Sequence, residues 1–75
     1  MSDYALVDAN GEYLHDYASP AEFLHGLENY MASGPPAECA AIYKNNRADI
    51  GRIAASKTYA AEIDRINALA YPRKK

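Results

Sequence analysis

The stretch ECAAIYKNNRADIGRI, Glu38 to Ile53, is the longest run of this chain with a helical pattern, and the charge of the molecule changes sign there. Cys39, Ile42, Tyr43, Ile50 and Ile53 fall at helical spacings, so one face of the run must be covered by the rest of the chain. Asn46 interrupts that apolar stripe. A polar amide in such a place is costly unless its hydrogen bonds are satisfied, so it either caps a neighbouring backbone group or meets a partner at the surface.

Seventy-five residues make a single small domain, residues 1–75, whose core can supply roughly a few kcal/mol of net stability. Large apolar residues are scarce, with one Phe, no Trp and seven Tyr, which makes tyrosine the main bulky side chain. A ring with a polar tip suits the edge of a thin core or a contact surface. The one cysteine, Cys39, rules out an internal disulfide and reads as a small core residue in a reducing, cytoplasmic setting. No basic and apolar leader and no apolar run near ~20 residues is present, so neither export nor membrane spanning is expected.

Outward from the central stretch, toward the N-terminus, Tyr4 to Tyr17 reads as a β-hairpin around Asp-Ala-Asn-Gly. Two registers compete. A type I′ turn at Asn10-Gly11 would set Val7 opposite Leu14; a type I turn over Asp8 to Gly11, with Gly11 in the left-handed bulge position, would pair Leu6 with Leu14 and Val7 with Tyr13. The second is preferred, because Asp suits the first turn position and Gly the last.

Ser19-Pro20-Ala21-Glu22 then opens a helix with a Ser N-cap, Pro at N1 and a Glu placed to complete a capping box. Phe23, Leu24, Leu27, Tyr30 and Met31 form its apolar stripe, Gly34 is placed to end it in the left-handed conformation, and Pro35-Pro36 stops it. Toward the C-terminus, a break at Ser56 to Thr58, with either residue as a cap, divides the central helix from a last one carrying Tyr59, Ile63, Ile66 and Ala70. The expected fold is α+β in the order ββααα: a hairpin over 4–17 packed on helices over 20–33, 37–55 and 57–70, with 72–75 a frayed basic tail.

Charge is unevenly laid out. Residues 1–38 hold seven acidic residues and no Lys or Arg, while residues 39–75 hold eight basic residues against Asp49, Glu62 and Asp64, giving −7 and +5 for the two halves. Such asymmetry can dock the halves on one another, steer a charged partner, or favour self-association. Lys44, Arg47 and Arg52 fall near one side of a helix, with Tyr43 and Tyr59 in the same half, which is the pattern of a surface that grips an acidic partner. Direct nucleic-acid binding is a weaker expectation, because a net acidic domain with Asp49, Glu62 and Asp64 among its cations makes a diluted field.

His15 and His25 follow no catalytic arrangement, and together with Cys39 they match no zinc-ligand spacing, so no catalytic residue, metal or cofactor is expected. A homodimer through the face of Tyr59, Ile63 and Ile66 would help so small a core.

An apolar strand, the Asp8-x-Asn10-Gly11-Glu12 turn, a second strand, Ser19-Pro20-x-Glu22-Phe23-Leu24 at a helix start, and Tyr43-x-x-Asn46 followed by Ile50 and Ile53 come in that order. In this the chain resembles the C-terminal accessory domain of phage-type single-strand annealing recombinases of the Erf and RecT kind. The resemblance implies a non-catalytic module of phage recombination or replication that recruits a protein partner such as a single-strand binding protein, through Tyr43, Asn46, Ile50 and Ile53. The 75 residues hold no annealing core, so the chain is expected to be either an excised domain or a free-standing small protein. The partner-binding residues expected on both grounds are Tyr43, Lys44, Asn46, Arg47, Arg52 and Tyr59. The rival reading is an inhibitor that blocks a host nucleic-acid-binding protein through its acidic N-terminal half, using Asp3, Asp8, Asp16 and Glu22.

Overall fold

Asp8 fixes the first turn of the chain: its Oδ1 accepts from the N–H groups of Asn10 at 2.9 Å and Glu12 at 2.8 Å, while its C=O accepts from Gly11 at 3.0 Å. Gly11 has φ 84°, the left-handed position that the type I turn and bulge require. The structure, a computed structural model describing residues 3–34 and 36–72, therefore has the hairpin turn expected of the sequence. Its strands are β1 (Tyr4–Val7) and β2 (Tyr13–Tyr17), an antiparallel pair.

Register departs from expectation beyond the first pair. Val7 stands opposite Tyr13 as anticipated, but Leu6 pairs with His15, because Leu14 is an extra residue in a second bulge. The reason lies in the pairs that follow. With the bulge, Tyr17 stands opposite Tyr4, and both rings lie against Phe23 at centroid distances of 6.2 and 5.7 Å. Without it, Asp16 would take that apolar place.

Helix α1 (Pro20–Ser33) starts where the sequence places it, with Ser19 Oγ accepting from the Glu22 N–H at 3.2 Å, the Ser19 half of the expected capping box. Phe23, Leu24, Leu27 and Met31 are fully buried on its inner face. Gly34 does not take the expected left-handed conformation; its φ and ψ are −87° and 174°. A proline follows it, and the proline ring disfavours a helical residue before it, which drives Gly34 to extended backbone.

The expected single helix over 37–55 is three pieces: a 3-10 turn Pro36–Glu38, then α2 (Cys39–Asn45) and α3 (Arg47–Ala54), parted at Asn46. Asn46 Nδ2 donates to the Ile42 C=O at 2.7 Å, and this side-chain competition for a helix carbonyl goes with a backbone at φ −104°, ψ 8°. The last helix, α4 (Ala60–Ala70), begins three residues later than expected. Neither Ser56 nor Thr58 caps it. Instead Lys57, at φ 62°, reverses the chain in the left-handed region, and Tyr59 occupies the cap position.

One core joins all these elements. Leu6 of β1, the buried face of α1, Cys39 and Ile42 of α2, Ile50 and Ile53 of α3, and Ile66 and Ala70 of α4 form a single buried cluster. Each large member contributes about 1.5–3 kcal/mol by leaving water. Of the stripe that suggested a homodimer, Ile66 is fully buried in this cluster, while Tyr59 and Ile63 pack half-buried against it. The molecule is α+β as expected. The basic tail at 73–75 lies outside the described residues.

Candidate functional site

A two-stranded sheet has two free edges, and each carries backbone donors and acceptors that must be satisfied by something. On the outer side of β1 the helices supply it. Asn46 Oδ1 accepts from the Val7 N–H at 3.0 Å and Asn46 Nδ2 donates to the Val7 C=O at 2.9 Å, the pairing that a neighbouring strand residue would make. Asp49 Oδ2 accepts from the Ala5 N–H at 3.3 Å, Arg52 Nη1 donates to the Asp3 C=O at 3.0 Å, and Asn45 Nδ2 donates to the C=O groups of Asp8 and Ala9 at 3.0 and 2.9 Å. Four side chains of the α2–α3 junction thus replace a third strand, and that edge is closed.

The same arrangement decides what the expected partner-binding residues can do. Asn46 is 3% exposed with all its amide atoms committed, so it is a structural amide and not a surface contact. Arg52 is turned onto its own molecule: its guanidinium carbon lies 4.8 Å from the Tyr4 ring centroid, and Nη1 pairs with Asp49 Oδ1 at 3.0 Å. Tyr43 is half-buried and packs edge-on against Tyr71 at 5.7 Å, and Tyr59 is half-buried on the core. Lys44 and Arg47 remain exposed and without an ion pair among the described residues. The structure therefore splits the expected constellation, leaving two free cations where a cluster was anticipated.

The outer side of β2 differs in every respect. Tyr13, Leu14, His15 and Asp16 are all exposed, and Tyr13 and Leu14, at 61% and 41%, are among the most exposed large apolar residues of the molecule. The Tyr13 hydroxyl faces the Asp16 carboxylate and its backbone N–H; loss of water around the ring and then the adjacent carboxylate push the phenol above its ordinary value. Beside this strand an open groove of about 560 Å³ runs along α1, lined by His15, Asp16, Glu22, His25 and Asn29 among others. Its floor depends on Gly26, where a Cβ would collide with the Tyr17 ring.

Both imidazoles therefore share one groove, which sequence spacing did not indicate. The thiol does not join them: Cys39 is buried, with Sγ donating to the Met31 C=O at 3.2 Å. Among the described residues no group of three or more His, Cys, Asp or Glu is placed to hold a metal ion, and no helix is long and apolar enough to cross a membrane.

Compared with known proteins, the chain matches no family model, no curated protein and no solved structure. The surface chemistry must therefore carry the functional reading.

Charge pairing sharpens the contrast between the two halves. Arg52 pairs with Asp49, and Arg65 with Glu28 at 3.2 Å. That leaves Lys44, Arg47 and Lys57 against Glu62 and Asp64 in the described helical half, close to neutrality. In the hairpin and α1, Asp3, Glu12, Asp16 and Glu22 are exposed, with no ion pair among the described residues and no Lys or Arg within residues 1–38. Sequence reasoning named the acids Asp16 and Glu22 but missed Tyr13, Leu14 and the groove. Two apolar residues in sequence beside acidic ones on a strand were the available signal, and the missing knowledge was that β2 has no second neighbour.

Proposed function

We propose that this chain is a non-catalytic protein-interaction module that binds a cationic partner through its hairpin and α1, the acidic half of the molecule. The observation that carries this reading is the sorting of charge among the described residues: exposed carboxylates without counter-ions on one half, and on the other two cations held in ion pairs with the remaining charges close to balance. An uncompensated field of one sign speeds and selects the encounter with a partner of the opposite sign. A role beside recombination or replication proteins rests on the family resemblance alone, and blocking of a host nucleic-acid-binding protein is compatible with the same acidic surface. Lys44 and Arg47 support a second reading in which the helical half binds, since both are exposed and unpaired.

The two readings separate in one experiment. The intact chain is used as bait in extracts of its own cell, beside a variant with Asp16→Lys and Glu22→Lys and another with Lys44→Glu and Arg47→Glu. Arg52 is left alone because it holds β1. Loss of the captured partner only in the first variant supports the acidic surface; loss only in the second moves the site to the helices. Capture unchanged in both variants overturns the module as described.

A further inference from the structure

In an antiparallel pair, residues directly opposite one another turn their N–H and C=O groups either both inward or both outward. Ala5 and Val7 send their N–H groups away from β2, to Asp49 and Asn46. Their opposite numbers, Asp16 and Tyr13, must therefore turn their own backbone groups away from β1. The Leu14 bulge places these two at the spacing of alternate residues on one side of the strand. Within the described chain only the exposed Tyr13 hydroxyl lies against that row, at the Asp16 N–H. The row is a template for another strand, and the groove beside it would lie under the side chains that such a strand directs toward α1.

We propose that the outer edge of β2 takes an extended cationic peptide segment as a third strand, hydrogen-bonded to Tyr13 and Asp16, with a Lys or Arg side chain in the groove beside Asp16 and Glu22. This rests on the interaction-module reading and specifies how the partner is held. Charge selects the occupant. Residues 1–38 contain no Lys or Arg, and the carboxylates of Glu12, Asp16 and Glu22 around the edge have no ion-pair partner among the described residues. A second copy of β2 would set these acids against one another, which disfavours self-pairing. Main-chain bonds then supply affinity without regard to sequence, and the groove supplies the preference for a basic residue at alternate positions.

The test uses the ¹⁵N-labelled intact chain and three short synthetic peptides: one alternating Lys with Val and Thr, one in which Pro replaces alternate residues, and one with Glu in place of Lys. The expected result is saturable movement of the Tyr13 and Asp16 amide signals with the Lys peptide, slowed exchange of those amides, and at least tenfold weaker binding of the other two. Asp16→Asn with Glu22→Gln should weaken the Lys peptide about three- to tenfold and flatten its salt dependence, while the spectrum keeps its folded dispersion. Equal binding of the Pro peptide overturns strand addition while leaving the acidic docking surface intact. Absence of saturable movement, or movement centred on Lys44 and Arg47, overturns the proposal. Concentration-dependent movement of the same amides without peptide also overturns it, and assigns the edge to a second copy.

Discussion

The two edges of the hairpin carry the same kind of backbone and have opposite fates. On β1, Asn46 bonds both outward groups of Val7 and Asp49 the Ala5 N–H, while Arg52 and Asn45 bond the flanking C=O groups of Asp3, Asp8 and Ala9, so helix side chains stand where a third strand would. On β2 the outward row meets only the Tyr13 hydroxyl at the Asp16 N–H among the described residues, and Tyr13 to Asp16 are exposed. A polar residue within an apolar stripe marks closure in this molecule, and an exposed tyrosine beside an aspartate marks opening. The lesson is that an edge is defined by what lies across from it, which one strand's sequence does not contain.

Opening the closed edge should have the largest effect. Asn46→Ala strands the Val7 N–H and C=O in a partly buried place and is expected to cost about 2–4 kcal/mol, read as a lower urea midpoint with an unchanged slope. Asn46→Asp keeps the accepted bond but sets a carboxylate oxygen against the Val7 and Ile42 C=O groups in a buried place, so it should cost at least as much as Asn46→Ala. Were both variants as stable as the parent, the closed edge would owe nothing to that amide.

Next in size is the seat of the hairpin on α1. Gly26→Ala drives a methyl into the Tyr17 ring and should cost about 1–3 kcal/mol, and Tyr17→Leu in the same chain should restore part of it. Additive losses in the double variant would show that Tyr17 is not the obstacle.

Relief of the left-handed Lys57 should be smaller and of opposite sign. Lys57→Gly is expected to stabilise by about 0.5–1 kcal/mol, seen as a rise in melting temperature, because glycine adopts that backbone without strain.

The open edge should be the least sensitive. Leu14→Lys is expected to change stability by no more than about 0.5 kcal/mol, since the residue is a solvent-facing bulge, and a larger loss would mean that β2 is covered after all. Asp16→Asn should move the Tyr13 phenol back down toward its ordinary value, followed by NMR of the tyrosine ring, because the carboxylate that disfavours the phenolate is gone. An unmoved phenol would leave loss of ring hydration as the sole cause.

What the sequence disclosed was local. The Asp8 to Gly11 turn, the Ser19 cap and the apolar stripe of α1 each depend on residues within a few positions of one another, and all are present in the structure. Asn46 was conspicuous in the sequence, but its partner Val7 is 39 residues away, and no periodicity reports a side chain that bonds across such a separation. The break it makes in the central helix was hidden for the same reason. Gly34 misled because the demand of the following proline overrides a glycine's freedom, and Lys57 gave no sign because lysine is not the residue chemistry favours at a positive φ. Of the expected binding residues, Lys44 and Arg47 were legible as exposed cations. Arg52 was not legible as a structural one, since its contact with Tyr4 joins positions far apart in the chain.

The amide bridge from Asn46 to Val7 also bears on how the molecule forms. An isolated hairpin of this length is marginal in water, and the α2–α3 junction bends around an amide whose acceptor lies on that hairpin. Neither end of the chain can reach its final shape before the other. Folding should therefore be all-or-none, with no stable half-built species. The N–H of Val7 should exchange its hydrogen at the rate of global unfolding, while that of Tyr13 on the far strand exchanges freely.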